Sequence, residues 1–169
     1  MLKKLKILLN FFHPLKAGSY KVCKEAVLNK SGLEFGGPSK IFSEDGFLPL
    51  YPFVMNLDNC NYSSKTIWEG EIKPGNSYNF YKGKIGYQYV LDTDELKEIQ
   101  SDKYDFILAS HIIEHFANPI KALSDWKRIL KNSGTLIAVI PHKDGTFDNR
   151  RKITELEHLI DDYNGNIGE

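Results

Sequence analysis

Tyr104-Asp-Phe-Ile-Leu-Ala-Ser110, Asn118-Pro119, Ile120, Leu123, Trp126, Ile129 and Leu130 at helical spacing, and Thr135-Leu-Ile-Ala-Val-Ile140 closed by Pro141 together decide the fold. The first run is short and apolar, the pattern of a strand buried on both faces. Asn118 has the side chain of a helix N-cap, and Pro119 suits the first helical position, where a missing N–H costs nothing. Lys131-Asn-Ser-Gly134 predicts the cationic last turn and the stop of that helix. Strand, helix and second buried strand form a βαβ unit, whose crossover is expected to be right-handed.

Upstream, Gly32-Leu-Glu-Phe35 predicts a strand that runs into the turn Gly36-Gly37-Pro38-Ser39, with Ser39 placed to cap a brief helix. Phe53–Leu57 and Tyr87–Leu91 are further strands, followed at once by Asp58 and Asp92. Between them Lys73-Pro-Gly-Asn76 predicts the turn of a hairpin, and Asp94–Gln100 is at most a short helix. Parallel strands separated by helices make an open α/β sheet, and such sheets bind ligands beyond the carboxyl ends of their strands. Glu34 with Gly36 and Gly37, Asp58, Asp92, Ser110 with His111, and His142 all fall there. A glycine turn admits close backbone approach, one carboxylate can accept from both hydroxyls of a ribose, and the next can reach an adenine amino group. The set suits an adenosine-containing ligand. No G-x-x-x-x-G-K-[ST] or G-x-G-x-x-G stretch is present, so triphosphate and dinucleotide binding lack their glycine geometry.

Composition narrows the classes further. At 169 residues with 41% hydrophobic and 26% charged side chains, the chain has the material for one core. Lys+Arg and Asp+Glu number 22 each, so no overall field draws it to nucleic acid. Cys23 and Cys60 match no zinc spacing and no disulfide framework, which points to a reducing compartment, the cytoplasm. The neutral total conceals an asymmetry: residues 1–30 carry seven lysines against Glu25 alone. The expected organisation is a basic N-terminal helical segment, 1–30, and a domain over 31–169. The apolar stretch of the first segment is too short to span a bilayer. Its expected role is a helix packing Leu5, Leu8, Leu9 and Phe12 on the domain, with membrane-surface contact by residues 1–12 as the alternative.

Leu33-Glu-Phe-Gly-Gly-Pro-Ser39, Tyr104–His115, Asn118-Pro119, Trp126-Lys-Arg-Ile-Leu-Lys131 and Gly134–Pro141 resemble the class I S-adenosylmethionine-dependent methyltransferases, most closely the type-11 methyltransferase domain. The resemblance covers about residues 31–142. It implies a Rossmann-like fold, S-adenosyl-L-methionine as cofactor and methyl transfer to a small polar acceptor, such as a sugar or saccharide precursor, at oxygen. It also implies that Glu34, Gly36 and Gly37 hold the methionine part, Asp58 the ribose and Asp92 the adenine, with Ser110 lining the cofactor site; because strand two arrives by the unusual Gly46–Pro52 segment, Asn56 or Asn59 is the alternative to Asp58. Pro38 and Lys40 stand where the family has its second and third glycines. The family's sheet has seven strands and this chain offers candidates for five, so the C-terminal strand pair is expected to be missing and strand five to be an edge covered by the N-terminal segment or by a partner, including a second copy.

For a hydroxyl acceptor a base must remove a proton, and the candidates are His111 and His142, which end adjacent strands. Two other classes compete. A methyltransferase-like binding or scaffold domain without turnover would be compatible with Pro38 in the turn. A zinc hydrolase is suggested by His111-Ile-Ile-Glu114-His115, which matches H-x-x-E-H. Only residues 111–117 separate the strand end from the Asn118 cap, too few for the long helix such a site occupies. Beyond Pro141, Asp144, Asp148, Arg150 and Arg151 form a polar loop suited to covering an anionic or hydroxyl-rich acceptor, ahead of a helix over Thr154–Tyr163.

Overall fold

The structure, a computed structural model, describes residues 16–66, 70–147 and 149–168. The expected N-terminal helix over residues 1–12 and the loop residue Asp148 lie outside them. The elements are α1 (Tyr20–Val27), β1 (Ser31–Phe35), β2 (Asn56–Asn61), a small hairpin of β3 (Lys65–Thr66) and β4 (Gly70–Glu71), β5 (Gly75–Tyr81), β6 (Lys84–Val90), β7 (Tyr104–Ser110), α2 (Pro119–Ile129), β8 (Leu130–Val139) and α3 (Leu156–Asn164).

The main sheet has the order β5-β6-β2-β1-β7-β8, and every neighbouring pair is parallel except β5–β6. The chain runs outward from β1 through β2 to β6 on one side and then returns to lay down β7 and β8 on the other, so the order reverses at β1. In sheets that reverse in this way ligands bind beyond the carboxyl ends of the strands at the reversal, a position that here lies past Phe35 and Ser110. The expected Rossmann-like α/β fold with a mostly parallel sheet is the observed one.

The interior strand β7 is apolar from Phe106 to Ala109 because both its faces are covered there: Phe106, Ile107 and Leu108 have no exposed surface. Phe106 and Leu108 join Val27, Phe42, Leu50 and Leu57 on one side. Ile107 joins Leu33, Phe35, Cys60, Trp126 and Ile129 on the other. Helix α2 supplies that second layer through a stripe of Ala122, Trp126 and Ile129, with the Trp126 ring stacked on Phe35 at 4.7 Å. Its start is as the sequence predicts: Asn118 Oδ1 accepts from the Lys121 N–H at 3.0 Å, and Pro119 follows. The same side-chain amide donates to the Asp162 and Ile167 carbonyls, tying the end of α3 to the start of α2.

Several boundaries differ from expectation. Strand β2 begins three residues later than predicted, because Tyr51-Pro-Phe53 form a 3₁₀ turn that buries Tyr51. The hairpin turn lies at Lys82-Gly83, where both residues have positive φ (40° and 82°), the twist a two-residue hairpin needs. Residues 131–134 are not a helical end: they bulge within β8, whose pairing jumps from Tyr104–Leu130 to Phe106–Thr135. Thr93–Glu98 and Lys40–Phe42 are 3₁₀ turns, and Ser39 makes no side-chain cap. The last helix, expected over Thr154–Tyr163, is α3 at Leu156–Asn164. Among the described residues, no helix is long and apolar enough to cross a membrane.

Candidate functional site

The turn 36–39 leaves β1 at the sheet's reversal point. Gly36 adopts φ +70°, and a Cβ there would overlap Ile112, so the loop after β7 packs directly on the turn. A Cβ on Gly37 would fall on the Tyr78 hydroxyl and the Glu34 carboxyl. Glycine is required at both positions for different reasons, conformation at the first and space at the second.

Beneath the turn lies Glu34, with no exposed surface. Its carboxylate accepts from the Tyr51 hydroxyl at 2.8 and 3.0 Å, the Tyr78 hydroxyl at 2.7 Å and the Ser39 N–H at 3.1 Å. Burial pushes the Glu34 carboxyl above its ordinary range, while these donors pull it back. Burial and the neighbouring Glu34 raise both phenols, so Tyr51 and Tyr78 stay protonated and act as donors. Asn59 on β2 holds the turn from a second side: its Oδ1 accepts from the Gly37 N–H at 2.9 Å, and its Nδ2 donates to the Gly37 carbonyl at 3.2 Å. The same Nδ2 lies 2.9 Å from Gln88 Oε1 and 3.3 Å from Asn61 Oδ1, so a buried amide cluster spans β2 and β6.

An account of the turn's N–H groups fixes its chemistry. Gly36 gives its N–H to the Cys60 carbonyl, Gly37 to Asn59, and Ser39 to Glu34 and Tyr51; Pro38 has none. What the turn can offer a ligand is carbonyl oxygen, which suits an ammonium group and not a phosphate or carboxylate.

Two expected ligand contacts need correction. Glu34 is not a surface group of the site; it is wholly enclosed and braces the turn from below. Asp58 does not follow β2 but sits inside it, level with Leu33. Its carboxylate accepts from the Tyr104 hydroxyl at 2.6 Å and the Tyr87 N–H at 2.8 Å, with Lys103 Nζ at 3.6 Å. The late start of β2 moves the strand end to Asn61, which is 5% exposed and stands where the sequence places the ribose-binding acid. An Asp58→Ala variant is accordingly expected to lose about 1–3 kcal/mol in urea unfolding, from the orphaned Tyr104 hydroxyl, while its affinity for adenosine ligands in calorimetry changes less than about twofold, within the usual small effect of a change away from a site.

The remaining predicted residues lie at strand ends. Asp92 is exposed two residues beyond β6, and its N–H is bonded to Glu95. Ser110, half-buried, closes β7 opposite Val139. His111 follows with φ +55°, a left-handed conformation rare for a side chain of its size, and its N–H donates to the Val139 carbonyl at 3.0 Å. Its Nδ1 stands 3.6 Å from Glu114 Oε1. His142 is exposed beyond β8, with its Nδ1 accepting from the Asp144 N–H at 3.3 Å. The H-x-x-E-H segment is not helical: only Ile113–His115 turn, as a single 3₁₀ turn, and His111 lies outside it. No group of three or more metal-ligating side chains occurs among the described residues. Cys60 is buried, its thiol pushed up to about 12, and is chemically quiet.

Sequence reasoning missed Tyr51 and Tyr78 as parts of the site, and it named Asn59 as a stand-in for Asp58 at the ribose, where the structure has it bracing the Gly37 backbone. A signal for a buried role existed, since Asn59 and Asn61 are amides in a strand that must be buried on both faces. None existed for the tyrosines, which reach Glu34 from 17 and 44 residues away.

Residues 53–138, half of the chain, match the family model described as a methyltransferase domain; the glycine turn precedes the matched region. An uncharacterized protein of Methanocaldococcus jannaschii is 42% identical over 45 residues, covering 27% of this chain and 20% of its own. A SAM-dependent methyltransferase from Aquifex aeolicus overlays with a TM-score of 0.44 and 16% identity, over 89% of this chain and 76% of that one. A Haloferax volcanii methyltransferase, solved in complex with the Trm112 methyltransferase activator, overlays with a TM-score of 0.46 and 16% identity, over 78% of this chain and 54% of the other. The chain thus spans about half the length of the Haloferax structure and a fifth of the Methanocaldococcus protein. By the match over residues 53–138, on a parallel sheet that reverses at β1, the chain belongs to the methyltransferase-domain family.

Proposed function

We propose that the domain transfers a methyl group from S-adenosyl-L-methionine to a small polar acceptor, at the oxygen of a sugar or saccharide precursor. The observation that carries this reading is the direct packing of the loop after β7 on the glycine turn after β1, through Ile112 against Gly36, at the point where the strand order reverses. The residues present fit the cofactor. Carbonyl oxygens of the turn suit its ammonium group, Asn61 at the end of β2 its ribose, and Asp92 beyond β6 its adenine amino group. When bound, S-adenosylmethionine supplies an electrophilic methyl carbon and a neutral thioether leaving group. The protein's task is then to align the acceptor and remove its proton.

His111 suits that second task better than His142. The Nδ1 of His142 already accepts a backbone N–H, which leaves the proton on Nε2 and no lone pair for an acceptor. In His111 the carboxylate of Glu114 lies on the Nδ1 side, which favours the proton there and frees Nε2 as a base. His111→Ala is expected to lower kcat by roughly a hundredfold, the usual scale of a general base, with the cofactor Kd unchanged. Equal turnover in the variant and the parent would remove His111 from the mechanism.

The fully engaged N–H groups of the turn favour one second reading, a binding or scaffold domain that holds the cofactor without turnover. Calorimetry with S-adenosylmethionine and S-adenosylhomocysteine decides first. Absence of binding by both at millimolar concentration ends the enzyme reading. Binding followed by methylation of any hydroxyl acceptor in a panel supports it, and binding without methylation supports the scaffold.

A further inference from the structure

We propose that Tyr78 is a positioning residue for the cofactor turn, acting through Glu34, so that the β5–β6 hairpin sets how firmly the turn is held for its ligand. This rests on the reading of the turn as the cofactor's seat. Tyr78 lies on β5, the sheet's antiparallel edge strand, yet it is 3% exposed and its hydroxyl reaches under the turn to Glu34 Oε2 at 2.7 Å. The hydroxyl occupies the space that any side chain at Gly37 would need. Its ring stacks on Phe80 at 6.0 Å, and Phe80 meets Tyr51 edge-on at 6.0 Å, so the two phenols that serve Glu34 are held by one aromatic cluster.

The causal order follows from the bonds. Glu34 touches the turn backbone through the Ser39 N–H, and the Tyr78 hydroxyl bonds to Glu34. A buried carboxylate stays in place when each oxygen is matched by donors. With the Tyr78 hydroxyl removed, Tyr51 is left as the single phenol, and its one proton must serve both Glu34 oxygens, at 2.8 and 3.0 Å. The carboxylate then has a reason to move toward water, and the turn moves with it. The titratable groups facing Glu34 are Tyr51 and Tyr78, so the effect reports on the phenols and not on a remote charge.

The test is Tyr78→Phe in the full chain, which keeps the ring and removes the hydroxyl, with Tyr87→Phe on β6 as the control. Amide exchange at Ser39 and Gly37 is expected to accelerate about tenfold, the loss of one hydrogen bond to a charged group, while Ile107 and Leu108 in β7 keep their protection. The KM for S-adenosylmethionine should rise by a similar factor with kcat preserved, and Tyr87→Phe should change neither. Uniform acceleration across β7, or unchanged exchange at Ser39, would reduce Tyr78 to a packing residue. If the unaltered protein binds no S-adenosylmethionine, the cofactor reading falls while exchange at Ser39 still decides whether Tyr78 positions the turn.

Discussion

Glu34→Ala is expected to abolish binding of S-adenosylmethionine and to lower the unfolding free energy by about 2–6 kcal/mol, at about 1–3 kcal/mol for each of the two buried phenol donors left unsatisfied. The substitution leaves two phenol hydroxyls without their acceptor in a site closed to water, and the Ser39 N–H with Tyr51 alone. The turn also loses its brace. Urea titration and calorimetry measure the two effects separately. A variant of unchanged stability would mean that the network contributes nothing, contrary to its geometry.

Glu34→Gln keeps the shape and tests the charge. Burial raises the folded-state carboxyl above its ordinary value of 4.5, with the Tyr78, Ser39 and Tyr51 bonds opposing. The folded protein therefore holds this proton to higher pH than the unfolded chain does. As pH rises above 4.5, the unfolded state releases the proton first and gains relative to the folded state. Stability contributed by this group falls through that window and is level above the folded value. In the Gln variant that decline is absent, so the stability of the parent relative to the variant should drop as pH rises. A difference that stays flat with pH would show that Glu34 does not titrate in the folded protein.

Gly37→Ala carries the second large effect. The added methyl must displace the Tyr78 hydroxyl and the Glu34 carboxyl together, and these are short, buried and bonded to each other. Overpacking of this kind costs about 1–3 kcal/mol in an apolar core, and here it also breaks a charge-assisted hydrogen bond. Thermal melting should fall, and cofactor binding should be lost even at temperatures where the variant is folded. Gly37→Ala with parental affinity would mean that the turn is not the cofactor's seat.

The unit from Tyr104 to Ile140 was legible because its signals are local and agree: an apolar run, a capped helix with one buried stripe, and a second run. Element existence followed from periodicity, and ends did not. The start of β2 slipped because Tyr51-Pro-Phe53 looks extended in sequence and is a turn whose ring fills the core. That slip moved the predicted ribose acid from the strand's end into its interior. The two-histidine motif fails on length alone, and the segment holds one 3₁₀ turn.

What the sequence determined by itself is the α/β class and the βαβ unit, since these depend on neighbours within a few turns of chain. Tertiary structure decided what Glu34 and Asp58 do. Each is a carboxylate in a parallel strand, and each has a hydrogen-bond donor on a strand far along the chain, Tyr78 at 44 residues for one and Tyr104 at 46 for the other. A carboxylate's role follows from whether donors or water surround it, and that is settled only when distant segments close over it.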